Sequence, residues 1–352
     1  MAVERFAENP LLTPEDLKPT QGGLEVYCTL NPAAVKIGDE YLLLVRVGEQ
    51  VARQEDCVAY AAWDARSGEV KIHRIGRDDP DLSAVDARTI FYRGRTMLTS
   101  LSHLRLARSK DGRRFAFDAQ PAIFPSTPYE AYGCEDPRIT FIDGAYYITY
   151  TAVSGYGICV GMAVTEDFVT FQKQKLIFPP YQKDVVIFPE KVRRQYVCRH
   201  RPYKSEFNQA CIWTAYSPDL LCWGQHEITL EPRAGWESER VGCGAAPIRT
   251  KDGWLEIYHA SDANGRYCLG AMLSDLDHPE KVIARSPKPV MEPSADYELT
   301  GVYGHCVFTN GMIVQNDGTL LIYYGAADRI CAGATTSVDE MVEAALKGRV
   351  TT

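Results

Sequence analysis

The sequence has no C-x-x-C pair and no His/Cys spacing of the kind that ligates a metal, so zinc chemistry finds no support in it. No apolar run approaches the length of a membrane span. Basic charge is also short: 38 Lys and Arg stand against 46 Asp and Glu, for a net charge of -8. That balance argues against a nucleic-acid partner, because phosphate backbones reward clustered basic surface. The opening "MAVERFAENPLLTPEDLKP" lacks the positive head and apolar stretch of a secretory signal. The eleven cysteines are odd in number and scattered, several within apolar runs such as "GICVGMAV" and "YCLGAML". They read as free buried thiols of a reducing compartment, and the expected location is cytoplasmic. No linker or low-complexity stretch divides the chain, which predicts a single domain over residues 1–352.

What the sequence does have is a repeated unit. A short apolar run, a turn carrying Gly or charge, and a strand rich in Tyr, Leu and Ile recur. They appear as "NPAAVKIGDEYLLLVRV", "DARTIFYRGRTMLTSLS", "DPRITFIDGAYYITYTA", "FPEKVRRQYVCRHRP", "APIRTKDGWLEIYHA" and "FTNGMIVQNDGTLLIYYGA". The turns fall near residues 38, 94, 144, 194, 253 and 318, six hairpin-like units in all. A spacing of roughly 50 to 65 residues suits one four-stranded blade per repeat, so the expected fold is an all-β propeller. Helical periodicity is confined to the tail, where "SVDEMVEAALKG" opens on a Ser337-to-Glu340 capping box, with one further helical turn expected at "TPEDL".

In such a fold the starts of the inner strands, and the loops before them, converge on one funnel. Polar residues gather at these positions while strand interiors stay apolar. They are Asn31 and Arg46; Asp86, Arg88 and His103; Glu135, Asp136 and Arg138; Lys183, Asp184, Glu190 and Lys191; His200 and Arg201; Trp236, Glu237 and Glu239; Tyr258 and His259; and Tyr303, His305 and Asp328. Each has an ordinary reading alone: a "DPR" is often a capped turn, and a lone His259 is more often structural. Together they suit sugar chemistry, with hydroxyls on Asn, Asp and Arg and aromatic faces against a pyranose. Inverting hydrolysis needs a carboxylic acid and a carboxylate base, for which Glu190, Glu237 and Glu239 are candidates. Phosphate as nucleophile removes the need for a base and asks instead for a cationic cradle. Lys183, Arg201 and His259 are candidates for that cradle, with Asp136 as proton donor.

"YGCEDPRIT", "KDVVIFPEKV", "RHRP", "WESERVGCGAAPI", "GWLEIYHA" and "YYGAAD", in that order, closely resemble glycoside hydrolase family 130. The likeness runs along almost the whole chain and is nearest to the branch acting on β-1,2-mannobiose and β-1,2-oligomannan. The resemblance implies a five-bladed β-propeller with a short C-terminal helix and an inverting β-mannoside phosphorylase releasing α-mannose 1-phosphate. It implies Asp136 as the general acid, its proton reaching the leaving oxygen through a mannose hydroxyl. Asn31, Arg46 and Asp328 would hold the mannosyl unit, and Lys183, Arg201 and His259 would surround phosphate. Glu135, Arg138, Trp236, Tyr303 and His305 are further expected sugar contacts. No metal or organic cofactor is expected; oligosaccharide and inorganic phosphate are the expected partners, and family members are often homo-oligomers. Asn31-Pro32, "YGHCVFTNG" and "YHA" depart from the pattern of relatives, and six hairpins exceed five blades. A β-mannosidase of the same family and a non-catalytic sugar-binding propeller remain the alternatives.

Overall fold

The computed structural model describes residues 3–349 and is built almost wholly of strands. Five antiparallel sheets follow one another along the chain, the first two joined by a parallel bridge between Ser102 and Gly133. The first comprises Leu24–Ile37, Glu40–Val51, Ser100–Ser109 and the short Ala116–Phe117. The second runs through Gly133–Ile142, Ala145–Ser154, Gly157–Thr165 and Gln172–Phe178. The third comprises Gln182–Ile187, Tyr196–Pro202, Ile212–Ser217 and Gly224–Leu230. In the fourth, Arg240–Gly242 and Ile248–Thr250 both pair with Gly253–Ser261, followed by Tyr267–Ser274 and Val282–Arg285. The fifth has Val307–Val314, Thr319–Ala326 and Ile330–Ser337, and its outer edge is completed from the other end of the chain by Glu4–Arg5.

The hairpin near residue 94 is not a repeat of this kind. Cys57–Asp64 pairs with Glu69–Gly76, and Leu82–Val85, Thr89–Tyr92 and Arg95–Leu98 form a separate three-stranded sheet. Both are inserted between the second and third strands of the first sheet. Five hairpins remain, one per sheet, and the count of six is corrected. The insertion carries alternating strands and a tight turn of its own, so its local pattern looks like the others.

Apolar layers between successive sheets supply the core. Leu42, Leu104 and Ile139 fill the first interface, Met162, Val185 and Ala215 the next, and Ile212, Tyr258 and Met272 the third. Ile257, Leu269 and Ile322 join the fourth sheet to the fifth, and Val45, Ala107 and Leu321 join the fifth back to the first. Each sheet therefore packs on the next and the last packs on the first. Strands covered on both faces read as continuous apolar runs, and Leu42 to Val45 are accordingly all buried.

The first strand of every sheet is interrupted at an equivalent place. Register shifts fall between Leu30 and Ala33, Glu135 and Arg138, Lys183 and Val186, and Thr309 and Gly311. The fourth sheet's first strand is simply broken in two. At three bulges the extra residue takes positive φ: Asn31 at 49°, Asp136 at 47° and Asp184 at 56°. Asn and Asp tolerate this left-handed conformation better than other side-chain-bearing residues, and a bulge bends the strand and re-aims its side chain. The tail helix, Val338–Leu346, starts where Ser337 Oγ accepts from Glu340 N at 3.1 Å, and Pro14–Asp16 forms the short turn near Thr13. All eleven cysteines are free and nine are buried. No helix among the described residues is long and apolar enough to cross a membrane.

Candidate active site

The bulge residues of the first two sheets meet. Asp136 Oδ1 accepts from Asn31 Nδ2 at 2.8 Å and from Arg46 Nη1 at 3.1 Å. Arg46 Nη2 reaches Glu135 Oε1 at 2.8 Å, and its Nε donates to Ser102 Oγ at 3.2 Å. One guanidinium thus orients two neighbouring carboxylates, the fork geometry that lysine lacks. Asn31 fits because residue 325 is glycine: a Cβ there would stand 2.1 Å from Asn31 Oδ1.

The bulge of the third sheet makes a second centre. Asp184 is buried and shared by three groups, with Arg201 Nε at 2.6 Å and His259 Nε2 at 3.4 Å from Oδ2, and Arg138 Nη2 at 3.3 Å from Oδ1. Gly242 leaves the room, since a Cβ there would lie 2.2 Å from His259 Nε2. Arg138 also donates to the carbonyls of Asp136, at 3.0 Å, and Cys243, at 2.8 Å. It therefore ties the two centres together. Lys183 and Arg201 face each other across the ladder. The side chain of Lys183, a half-buried residue, makes no hydrogen bond or ion pair with any described residue. Arg201 uses only its Nε in this way, which leaves its two terminal nitrogens uncommitted.

Electrostatics separate the acids. Burial alone would raise Asp136, but the charges of Arg46, Lys183 and Arg138 and the Asn31 hydrogen bond outweigh it and bring its pKa down to about 2. Asp184 is likewise held well below the carboxylate range, burial being overcome by Arg201 and Arg138. Asp328 moves the other way. Burial raises it, Arg88 and Arg46 pull it back, and the charge of Asp136 adds to the rise. Arg88 Nη1 lies 3.6 Å from Asp328 Oδ2 and comes from the inserted sheet.

The structure thus brings Asn31, Arg46, Glu135, Asp136, Lys183, Arg201 and Asp328 into one electrostatic neighbourhood. Tyr303 stands on the Asp328 side, its hydroxyl donating to Gly265 O at 2.9 Å, and His305 is exposed with positive φ. Three of the expected residues are engaged within the protein. Arg138 is spent on backbone carbonyls and Asp184, so it positions other groups. His259 is fully buried, and burial brings its pKa down to about 4 against the pull of Asp184, so at neutral pH it adds no positive charge to a cradle. Trp236, half-buried, stacks on Tyr258 at the edge of the layer between the third and fourth sheets, 5.9 Å between centroids. Glu237 is buried against Arg285 and Tyr258, Glu239 pairs with Lys204, and Glu190 lies past the far end of its strand, paired with Arg249. His103 bonds Glu49 and His200 bonds Gln182 and His226, away from Asp136. Asp184 is the central residue that the sequence left without a role; its signal is that "KDVV" occupies the bulge position of "EDPR". A cavity of about 550 Å³ lies elsewhere, beside Arg105 and Phe117, and contains none of these groups.

Comparison with known proteins identifies the family. The family model for glycoside hydrolase family 130, described as beta-1,4-mannooligosaccharide phosphorylase, matches residues 83–346. The chain is 40% identical to a beta-1,2-mannobiose phosphorylase of Listeria innocua serovar 6a over 97% of its own length and 98% of the relative's. It is also 40% identical to a 1,2-beta-oligomannan phosphorylase of Thermoanaerobacter sp. strain X514, over 68% of this chain and 80% of that one. The solved complex of the Listeria innocua beta-1,2-mannobiose phosphorylase with beta-1,2-mannobiose superposes with a TM-score of 0.94 at 39% identity, covering 99% of this chain and 100% of that one. With its bulge aspartate, its paired cations and the ordered motifs that carry them, the chain belongs to glycoside hydrolase family 130.

Proposed function

We propose that this protein is an inverting β-mannoside phosphorylase acting on β-1,2-linked mannobiose or oligomannan. The observation that carries the reading is the facing pair Lys183 and Arg201, cationic groups with donors not engaged by the protein and one carboxylate removed from Asp136. Arg201 has Asp184 on its Nε alone and Lys183 has no carboxylate partner among the described residues, and a half-buried cation left so is costly unless an anion completes it. Inorganic phosphate fits that role as co-substrate. Its oxygen attacks the anomeric carbon on the face opposite the leaving oxygen; the C–O bond to phosphate forms as the glycosidic C–O bond breaks. The released oxygen takes a proton relayed through Asp136, and the configuration inverts to α-mannose 1-phosphate. Asn31, Arg46, Glu135 and Asp328 hold the mannosyl unit, with Tyr303 and His305 at its edge. Arg138, Asp184 and His259 hold the groups that touch substrate.

Hydrolysis would need a carboxylate base in place of the cradle, and Glu190, Glu237 and Glu239 are all engaged elsewhere. The ring of five sheets is read here as a five-bladed propeller working as one domain, because each interface repeats the same packing and the fifth returns to the first. The deciding measurement is mannose release from β-1,2-mannobiose with and without phosphate. Phosphate-dependent formation of α-mannose 1-phosphate is the expected result; equal rates of free mannose release in both would overturn it.

A further inference from the structure

Four tyrosines with large exposed faces lie at the same end of the second and third sheets as Asp136 and Lys183. Tyr181 is 58% exposed and Tyr203 48%, with ring centroids 6.3 Å apart. Tyr156 is 66% exposed and Tyr129 43%, their centroids 5.6 Å apart. None of the four hydroxyls bonds to a described residue.

The register fixes where the first pair stands. Lys183 and Arg201 are direct partners, and Tyr203 N donates to Tyr181 O at 3.1 Å, which extends the ladder outward. Side chains two residues apart share a face of a strand. Tyr181 and Tyr203 therefore flank the cation pair on its own face, a further step of roughly 7 Å toward solvent. The opposite face confirms the alternation, since Gln182 Oε1 meets His200 Nδ1 at 2.9 Å there. The second pair joins the first through Gly157. A Cβ at that residue would lie 3.0 Å from the Tyr181 ring, so the ring rests on bare backbone next to Tyr156. Tyr156 sits in the turn between Ser154 and Gly157, at the end of the sheet that carries Gly133 and Asp136.

We infer that these tyrosines form an extended oligosaccharide subsite, which receives mannosyl units beyond the two that flank the scissile bond. This rests on the phosphorylase reading and adds to it a preference for chains longer than the disaccharide. A contiguous exposed apolar patch on a soluble surface is commonly a recognition site. The occupant is set by continuity with the candidate active site and by chemistry: rings offer flat faces to the C–H side of a sugar, and unengaged phenols meet its hydroxyls.

The test is the ratio of kcat/KM for β-1,2-mannotetraose to that for β-1,2-mannobiose, in the wild type and in Tyr181→Ala, Tyr203→Ala and Tyr181→Phe. The wild type is expected to favour the tetramer, and each alanine variant to lower that ratio by roughly three- to tenfold, while Tyr181→Phe keeps most of it. An identical ratio in all four proteins overturns the inference, as does a change of sedimentation on Tyr181→Ala with the ratio intact, which would mark the patch as a self-association surface. If no β-mannoside turns over, the phosphorylase reading fails separately, and calorimetric binding of the same two sugars decides the subsite: equal loss of affinity for both, or none, rejects it.

Discussion

A carboxyl with a pKa of about 2 is ionised at neutral pH, yet Asp136 is cast as a proton donor. Burial raises it, and Arg46, Lys183, Arg138 and Asn31 more than offset that. The proton must then arrive with substrate: ionised Asp136 plus phosphate monoanion carries the same protons as neutral Asp136 plus the dianion. The kcat/KM for phosphate should accordingly stay level on the acid side of neutrality and fall above the second ionisation of phosphate. A basic limb absent across that ionisation would count against the scheme. Asp136→Asn should lower kcat by roughly a hundred- to ten-thousandfold while the far-ultraviolet spectrum stays unchanged. For stability the sign is that of a depressed acid. Asp136 contributes fully above its unfolded pKa, about 3.9, and the contribution is lost as pH falls through about 2. Glu135, Asp136 and Arg46 stood out because polar residues recur at the strand starts and ends of the repeat while strand interiors stay apolar. The neutrality of His259 was not, because it comes from complete burial, which a string of letters does not display.

Among elements, the bulge is the device that turns a strand into part of a site. Asn31, Asp136 and Asp184 each sit where the first strand steps out of register with φ near 50°. Such conformations cost about 1–3 kcal/mol each and persist only when their surroundings enforce them. Gly325→Ala should displace Asn31, since the new methyl would overlap its Oδ1; KM for the mannoside is expected to rise and kcat to fall, measured by initial rates. Asp184→Asn leaves Arg138 and Arg201 without their counter-charge. Breaking a buried pair of this kind costs on the order of 3–5 kcal/mol, to be read as a lower urea midpoint. Sequence periodicity located these strands. It could not separate the inserted hairpin near Gly94 from the five sheet-forming ones, because alternation describes a strand and says nothing of which sheet it joins.

For the whole molecule, closure depends on the chain's early residues. Glu4–Arg5 edges the fifth sheet, and Arg5 Nε reaches the buried Glu298 Oε1 at 2.7 Å, where the Tyr324 hydroxyl also donates at 2.7 Å. Arg5 is raised above its ordinary value first by that hydrogen bond. Arg5→Met should destabilise the protein by about 3 kcal/mol, because Glu298 would remain buried without its cation. Cooperative unfolding at a lower temperature is the expected readout; an unchanged transition would show that the edge strand does not close the molecule.

The sequence by itself determined the all-β class, the hairpin repeat, the tail helix with its Ser337 cap and the family to which the motifs belong. These are local facts: alternation, turn residues and spacing lie within a few residues of one another. Tertiary structure decided that Asp184 is the hub, that Arg138 is spent inside the protein and that His259 is neutral. It also decided that Lys183 and Arg201 are left facing each other. Those outcomes depend on which groups from different sheets come within hydrogen-bonding distance and how far water is excluded, and neither quantity exists until the sheets have packed.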